Sequence, residues 1–274
     1  MLTILNRPRI PRSIQIGRYL TLRTLRTHER GTLYLARGAD ALSIPRLVLL
    51  RTARFGSAAA AELLDDAHIG KMVHHVNVAR VIDSGCDAEQ AFVAVEHIDG
   101  VDLDVVFDAA RVRGRQPPFG VACRIIADLL AGLSRLHSAA AAGTRLTAAP
   151  RRTPSPAGVL LTLEGKVKLL ETAAAAQNPY RSITSVGLLL WELATGRRAE
   201  GEEIADASCV NPIVPATLDR VIRRALTPTR APDATALQSE IEALIAAERW
   251  SAGRDLVSRY VRTLTLPLPK SIHI

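Results

Sequence analysis

Two hydrophobic patterns divide the 274-residue sequence near residue 100. Short apolar or alternating runs, bounded by Gly, Asp or Pro, predict strands in the first part. These strands are expected at 19–22, 32–36, 46–50, 79–84 and 91–97. Apolar residues at helical spacing predict helices over 57–74 and then, in the second part, over 103–111, 121–137, 181–195, 216–226 and 234–248. With a further hairpin at 159–170, the chain is expected to be α+β, a small β-rich lobe followed by a larger helical lobe.

Arginine supplies almost all of the positive charge. The chain has a formal net charge of +8 and a pI near 10.0, yet its only lysines are Lys71, Lys166, Lys168 and Lys270. A basic excess of this size leaves nucleic acid or an acidic protein open as a partner. Because no dense basic block occurs and aromatic residues make up only 4%, we rank nucleic acid below a protein partner.

The cysteines and the apolar stretches bear on the compartment. Cys86, Cys123 and Cys209 lie far apart and outside any zinc-site spacing, as small buried residues do in a reducing compartment. The start of the chain lacks the sustained apolar core of a secretory signal. The longest apolar stretch, residues 186–193, is too short for a bilayer and contains Glu192. We therefore expect a cytoplasmic protein that does not contact a membrane.

Six short motifs occur in the order in which protein kinases carry them. They are GRY at 17–19, TLYLAR at 32–37, HVNV at 75–78, FVAVEHIDG at 92–100, VLLT with GKVKLL within 159–170, and SVGLLLWELATG at 185–196. The chain thus resembles the protein kinase family, and bacterial serine/threonine kinases in particular. This resemblance implies a two-lobed kinase-like domain over 17–247, with its N-lobe at about 17–97 and its C-lobe at about 101–247. Residues 1–16 are then a basic N-terminal arm and 248–274 a C-terminal helix and tail, both candidates for contact with a partner.

The resemblance places Arg51 where kinases carry the lysine that holds the nucleotide phosphates. Arginine keeps the charge, but its planar guanidinium is not equivalent to a compact ammonium group. No lysine precedes Lys71, so no shift of the alignment can supply one from the first sheet. Asp66 stands at the position of the helix glutamate that pairs with this lysine, and its side chain is one methylene shorter.

The catalytic aspartates are replaced as well. The resemblance places Thr153 at the base aspartate of the HRD motif, Gly158 at the metal-binding asparagine, and Glu171 at the aspartate of the DFG motif. No aspartate occurs between Asp128 and Asp206, so no register recovers the two that phosphoryl transfer requires. Glu171 offers carboxylate oxygens, but no second ligand adjoins it, and we expect no metal site.

The positions that would surround a nucleotide are also altered. By the same resemblance they are Gly31, Leu49, Glu96, Ile98 and Leu160. Gly31 alone falls on a glycine of the phosphate loop, whereas Arg26 and His28 replace the other two, and their side chains obstruct the approach of phosphate to the backbone. Leu49 replaces a small residue that would lie against adenine. We therefore expect neither ATP nor Mg²⁺ to bind.

The resemblance and these replacements together predict a pseudokinase, a kinase-like domain that is not an enzyme. Its expected role is that of a signalling scaffold or a regulatory module that binds one or more proteins. Two alternatives stay open. One is an arginine-rich binding module for nucleic acid or an acidic partner, whose binding would depend on salt. The other is an atypical nucleotide-dependent enzyme on a kinase fold, which would use Arg51 and Glu171 on a nucleotide in an unusual orientation.

Overall fold

The computed structural model describes residues 13–29, 31–38, 47–142, 158–170, 179–201, 203–227 and 232–265. Its internal contacts divide the chain into two units. The first consists of Met1–Leu64 and Ile82–His97, and the second of Asp65–Val81 and Ile98–Ile274. The first unit is built on a β-sheet and the second is mainly helical, so the predicted α+β class is confirmed.

The sheet of the first unit has six strands in the order β1-β2-β3-β4-β6-β5. The strands are β1 (Gln15–Ile16), β2 (Tyr19–His28), β3 (Gly31–Gly38), β4 (Leu47–Arg54), β5 (Val81–Cys86) and β6 (Gln90–Glu96). The pairs β1–β2, β2–β3, β3–β4 and β4–β6 are antiparallel. Helix α1 (Ala58–Met72) follows β4, and the division between the units passes through it after Leu64.

One face of this sheet, which we call the tyrosine face, is a packed apolar layer. Tyr19 meets Phe92 edge to face, with ring centroids 5.9 Å apart, and Leu50 lies beside them with no exposed surface. Ile16 covers the layer at the end of the sheet and is only 1% exposed. The pairing of Gln15–Ile16 with β2 therefore adds a strand where the sequence predicted an extended arm.

The second unit combines a small sheet with the remaining helices. The antiparallel sheet has the order β7-β8-β9. Its strands are β7 (Gly100–Asp102), β8 (Val159–Thr162) and β9 (Val167–Leu169). The helices are α2 (Leu103–Arg113), α3 (Phe119–Ala141), α4 (Pro179–Thr195), α5 (Ala207–Val210), α6 (Ala216–Leu226), α7 (Ala234–Ala247) and α8 (Arg254–Thr265).

Helix α3 is the centre of the second unit. Its apolar residues recur at helical spacing, and Ile125, Leu129, Leu133 and Leu136 have no exposed surface. They pack against α4, α7, α8 and β9. Each fully buried side chain of this size stabilises the folded state by roughly 1.5–3 kcal/mol. The helical pattern predicted over 121–137 is therefore the main hydrophobic element of the unit.

Helix α8 packs against the turn of the β8–β9 hairpin. Gly165 lies in this turn with φ +79°, and a Cβ atom there would lie 2.0 Å from the carbonyl oxygen of Arg254. Arg262 donates a hydrogen bond from Nε to the carbonyl oxygen of Leu163 at 3.1 Å. Val257 and Val261 are fully buried beneath these contacts. Helix α8 is thus an integral part of the second unit.

Strand β5 begins two residues later than predicted because the preceding segment pairs elsewhere. The amide of Ala79 donates to the carbonyl oxygen of Leu169 at 2.9 Å, and the amide of Leu169 donates to that of Asn77 at 2.8 Å. Residues 77–79 therefore extend the hairpin of the second unit. Among the described residues, no helix combines the length and apolar character that crossing a bilayer requires.

Candidate functional site

Two bulges in β2 determine where its arginines point. Arg23 lies opposite Leu35 and Arg26 lies opposite Leu33, with an extra residue of β2 inserted between them. In a regular strand, residues three apart point to opposite faces of the sheet. The bulge shifts the alternation by one residue. Both arginines therefore lie on the same face of the sheet.

Arg51 lies on this face as well. It is opposite Leu33 on one side and Val93 on the other. Arg26, Leu33 and Arg51 thus form one row across three neighbouring strands. Strands are about 4.8 Å apart, so the backbones at the two arginines are about 10 Å apart, within the combined reach of their side chains. We call this surface, with Arg23, Arg26 and Arg51 as its cationic residues, the arginine face.

The base of the arginine face is apolar. Leu49 is completely buried, and Val93 and Val95 are 1% and 2% exposed. Arg26 and Arg51 are half-buried above them, whereas Arg23 is exposed, as is Arg37 at the far end of the same face. Guanidinium groups over an apolar floor interact more strongly with an anion than they would in open water, because the local dielectric is lower. Their planar forks match the oxygens of a carboxylate or a phosphate.

Gly31 has a structural explanation in the sheet itself. It begins β3 with φ +154°, and a Cβ atom there would lie 1.9 Å from the carbonyl oxygen of Thr52 on β4. Only glycine allows this approach of the two strands. The glycine that the resemblance aligned with the phosphate loop is therefore required by the β3–β4 pairing, whatever the ligand.

Arg51 belongs to the first unit, whereas several of the other predicted site residues belong to the second. Glu96 lies opposite Val48, on the side of the sheet away from Leu49. The remaining described positions belong to the second unit, and they are Asp66 at 8% exposure, Gly158, Ile98 at 4% and Leu160 at 0%. Leu160 is paired with Lys168 in the hairpin, and the carbonyl oxygen of Gly158 accepts a hydrogen bond from the amide of Leu170 at 2.9 Å. Thr153 and Glu171 lie outside the described residues.

The grouping of Arg23 with Arg26 was missed from the sequence. Their spacing of three places them on opposite faces of any regular strand, so the sequence predicts no such group and indicates Arg26 only as an obstruction to phosphate. The bulge depends on the pairing with β3, a contact that the local sequence does not reveal. In the part of the chain that the structure describes, no three His, Cys, Asp or Glu side chains are grouped as metal ligands.

The fold matches that of a solved bacterial kinase domain, that of Mycobacterium tuberculosis PknI, crystallised as a mutant. The two superpose with a TM-score of 0.65 and 19% sequence identity, over 84% of this chain and 97% of the PknI domain. In sequence, neither a protein-family model nor a curated protein matches the chain. The match confirms a protein kinase-like fold, as the order of the sequence motifs predicted.

The expectation that the chain is not an enzyme is contradicted by this match, because a solved structure that shares its fold is a kinase domain. That expectation depended on residue types at aligned positions, and two of the decisive ones, Thr153 and Glu171, lie outside the described residues. A likeness at 19% identity establishes the fold alone. The match therefore gives the chain a protein kinase-like architecture.

Proposed function

We propose that this protein kinase-like chain is a regulatory module that acts by binding a partner protein in signalling. The observation that carries the proposal is the contrast between a packed kinase-like core and an arginine face whose residues, by the sequence resemblance, differ from those of kinases. Leu49 is completely buried. The sequence resemblance aligns it with a residue beside adenine, and it aligns Arg26 and Arg51 with residues that serve phosphate in kinases. A protein that acts by binding a partner needs only a stable fold and an exposed surface, and this core supplies the stable fold.

The sequence supports a role that requires neither ATP nor Mg²⁺. Phosphoryl transfer in kinases depends on a lysine of the first sheet and on aspartates of the second lobe. No lysine precedes Lys71 and no aspartate lies between Asp128 and Asp206. These counts are independent of any alignment. They favour recognition of a partner by surface contacts over recognition of a metal nucleotide.

One observation favours a second candidate function, an atypical nucleotide-dependent enzyme. The arginine face brings Arg23, Arg26 and Arg51 onto one side of the sheet, above an apolar floor. Guanidinium groups in this arrangement suit a phosphate chain that carries no metal. This candidate requires that a nucleotide bind in the absence of Mg²⁺ and that Arg51 contribute to its affinity.

The proposed function is tested by reconstitution of a complex. The full chain is used as bait in a lysate of its native cell, retained proteins are identified, and each is purified and mixed with the chain. We expect a stable complex of defined stoichiometry, measured by analytical ultracentrifugation without added nucleotide. The variant Arg51→Gln, which disables the second candidate, is expected to bind equally well.

Two results would overturn the proposal. One is that no purified candidate forms a complex with the chain. The other is a complex that forms only when a nucleotide is present and that Arg51→Gln abolishes, which would select the second candidate. Arg54→Gln is the matched control, because Arg54 lies on the same strand three residues away and on the opposite face.

A further inference from the structure

Beyond its apolar layer, the tyrosine face becomes polar at one end of the sheet. Thr52 on β4 lies opposite Thr32 on one side and opposite Phe92 on the other. Arg54 and Gln90 form the next pair between β4 and β6. Because residues two apart on a strand point to the same side of the sheet, all of these side chains lie on the face that carries Phe92.

The polar residues at this end line a cavity of about 660 Å³, which we call the Phe55 cavity. Thr52 is only 6% exposed and forms its floor, and the Thr52 hydroxyl donates to the carbonyl oxygen of Thr32 at 3.4 Å. Tyr34 and Phe55 also line it, the first half-buried and the second exposed. The volume lies within the range of about 300–1,000 Å³ that ligand pockets cover.

Local hydrogen bonds fix the turn between β5 and β6, which forms one wall of the cavity. The Asp87 carboxylate accepts hydrogen bonds from the amides of Glu89 at 3.0 Å and Gln90 at 2.8 Å. The amide of Phe55 donates to the carbonyl oxygen of Glu89 at 2.8 Å and so joins this turn to the end of β4. A wall that is already formed reduces the ordering cost of binding.

The polar groups of the cavity favour a neutral ligand that both donates and accepts hydrogen bonds. Arg54 and Glu89 are exposed at its rim and supply one charge of each sign, so the cavity has no net charge. Within the described ranges, the side chains of Thr32, Tyr34 and Gln90 make no hydrogen bond to another residue. Each can donate and accept. A carboxylate or a phosphate only accepts and an ammonium group only donates, whereas a peptide group does both.

Phe55 adds an apolar contact to these polar groups. It is 55% exposed, and with Tyr34 it brings two aromatic rings to one cavity in a chain that is only 4% aromatic. Aromatic side chains that are surrounded by hydrogen-bonding groups are typical of protein interfaces. The apolar ring and the neutral polar groups together suit a short segment of polypeptide better than an ion.

We propose that the Phe55 cavity is a docking site for an uncharged segment of a partner protein. An apolar side chain of the segment packs against Phe55, and a peptide group beside it hydrogen-bonds to Tyr34 and Gln90. This inference rests on the proposed function, because it names the surface by which the module recognises its partner. It places that surface on the tyrosine side of the sheet, away from the arginine face.

The test selects short peptides from a random displayed library on the full chain. The most enriched sequence is synthesised with capped ends, and its affinity is measured by isothermal titration calorimetry. We expect an uncharged sequence with an apolar residue at its centre. Phe55→Ser should weaken its binding about tenfold. Gln90→Met, which keeps the length of the side chain but removes its hydrogen-bonding groups, should weaken it about fivefold.

Leu22→Ser is the matched control, because Leu22 is a 40% exposed apolar residue of the same unit outside the cavity. It should change the affinity by less than about twofold. Both replaced side chains are exposed, so neither change disturbs the core. Equal losses in Phe55→Ser and Leu22→Ser would overturn the docking site, as would the enrichment of charged sequences or of none.

A comparison with an identified partner separates this inference from the proposed function. If the partner binds the full chain and Phe55→Ser with equal affinity, the Phe55 cavity is not the docking site but the module still binds its partner. If no partner forms a complex while the selected peptide binds and depends on Phe55, the cavity binds polypeptide and the proposed function is wrong.

Discussion

The two faces of the six-stranded sheet are formed by the same strands but carry different kinds of side chain. The tyrosine face is closed by Ile16, Leu50 and the edge-to-face pair of Tyr19 and Phe92. The arginine face has an apolar floor of the same kind, with charged side chains above it. Alternation along each strand allows one set of residues to stabilise the sheet while the other set varies. The comparison shows that one face of this kinase-like sheet is closed by apolar side chains while the other carries arginines above an apolar floor.

The largest expected effect is a difference in stability between variants that remove a leucine side chain from each of the two faces. Leu50→Ala should lower the free energy of unfolding by about 3 kcal/mol, because it leaves a cavity in a layer that has no exposed surface at this residue. Leu33→Ala removes the same atoms from the half-buried arginine face and should cost about 1 kcal/mol. Urea unfolding of both variants measures the difference. An equal or larger loss at Leu33 would mean that the arginine face is part of the core.

The second prediction concerns anion binding by the arginine face. Inorganic tripolyphosphate without metal should raise the melting temperature, and at about 100 times its dissociation constant it stabilises the fold by about 2.7 kcal/mol. Arg51→Gln should remove most of this effect, while Arg54→Gln on the tyrosine side of the same strand should keep it. Differential scanning fluorimetry compares the three proteins. If both variants respond equally, the binding does not depend on the arginine face.

The third prediction concerns the pH dependence that Tyr19 gives to the stability of the tyrosine face. Burial raises the pKa of Tyr19 above 10.0, and the Asp83 carboxylate adds to this rise while Arg18 opposes it. The neutral phenol is therefore favoured in the folded state, so its contribution is complete below pH 10 and is lost as the pH rises further. Tyr19→Phe should cost under about 1 kcal/mol at pH 7, where the hydrogen bond to Asp83 is lost. Between pH 9 and 11 the stability of Tyr19→Phe should fall less than that of the native chain. A steeper fall in the variant would contradict the raised pKa of Tyr19.

The smallest expected effect is that of ATP with Mg²⁺. Leu49 is completely buried, and the sequence resemblance places it beside adenine and places Arg26 and Arg51 beside the phosphates, so we expect these side chains to oppose binding of the metal nucleotide. We expect millimolar ATP and Mg²⁺ to leave the melting temperature unchanged, both for the native chain and for Leu49→Ala. A saturable rise in the native chain would favour the nucleotide-dependent candidate over the binding module.

Hydrophobic periodicity in the sequence predicted the helices and strands, because the burial of one face of an element produces a local repeat of apolar residues. The helix at 121–137 is found within α3, and the hairpin turns at Gly165 as expected. The register could not be predicted, because it depends on contacts between distant segments. The bulge that places Arg23 and Arg26 on one face and the hydrogen bond of Arg113 to Thr263 are both of this kind. At the candidate site, the sequence predicted the strand that carries Leu49 and Arg51, but not which arginines share a face with Arg51.

The central claim is that the chain acts by binding a protein, without a contribution from ATP or Mg²⁺. The most direct measurement is the dissociation constant of the purified complex by isothermal titration calorimetry, with and without millimolar ATP and Mg²⁺. Equal affinities, within about twofold, mean that nucleotide and partner are not thermodynamically coupled, and this is the result we predict. A complex that tightens or weakens tenfold with ATP and Mg²⁺ would contradict the account.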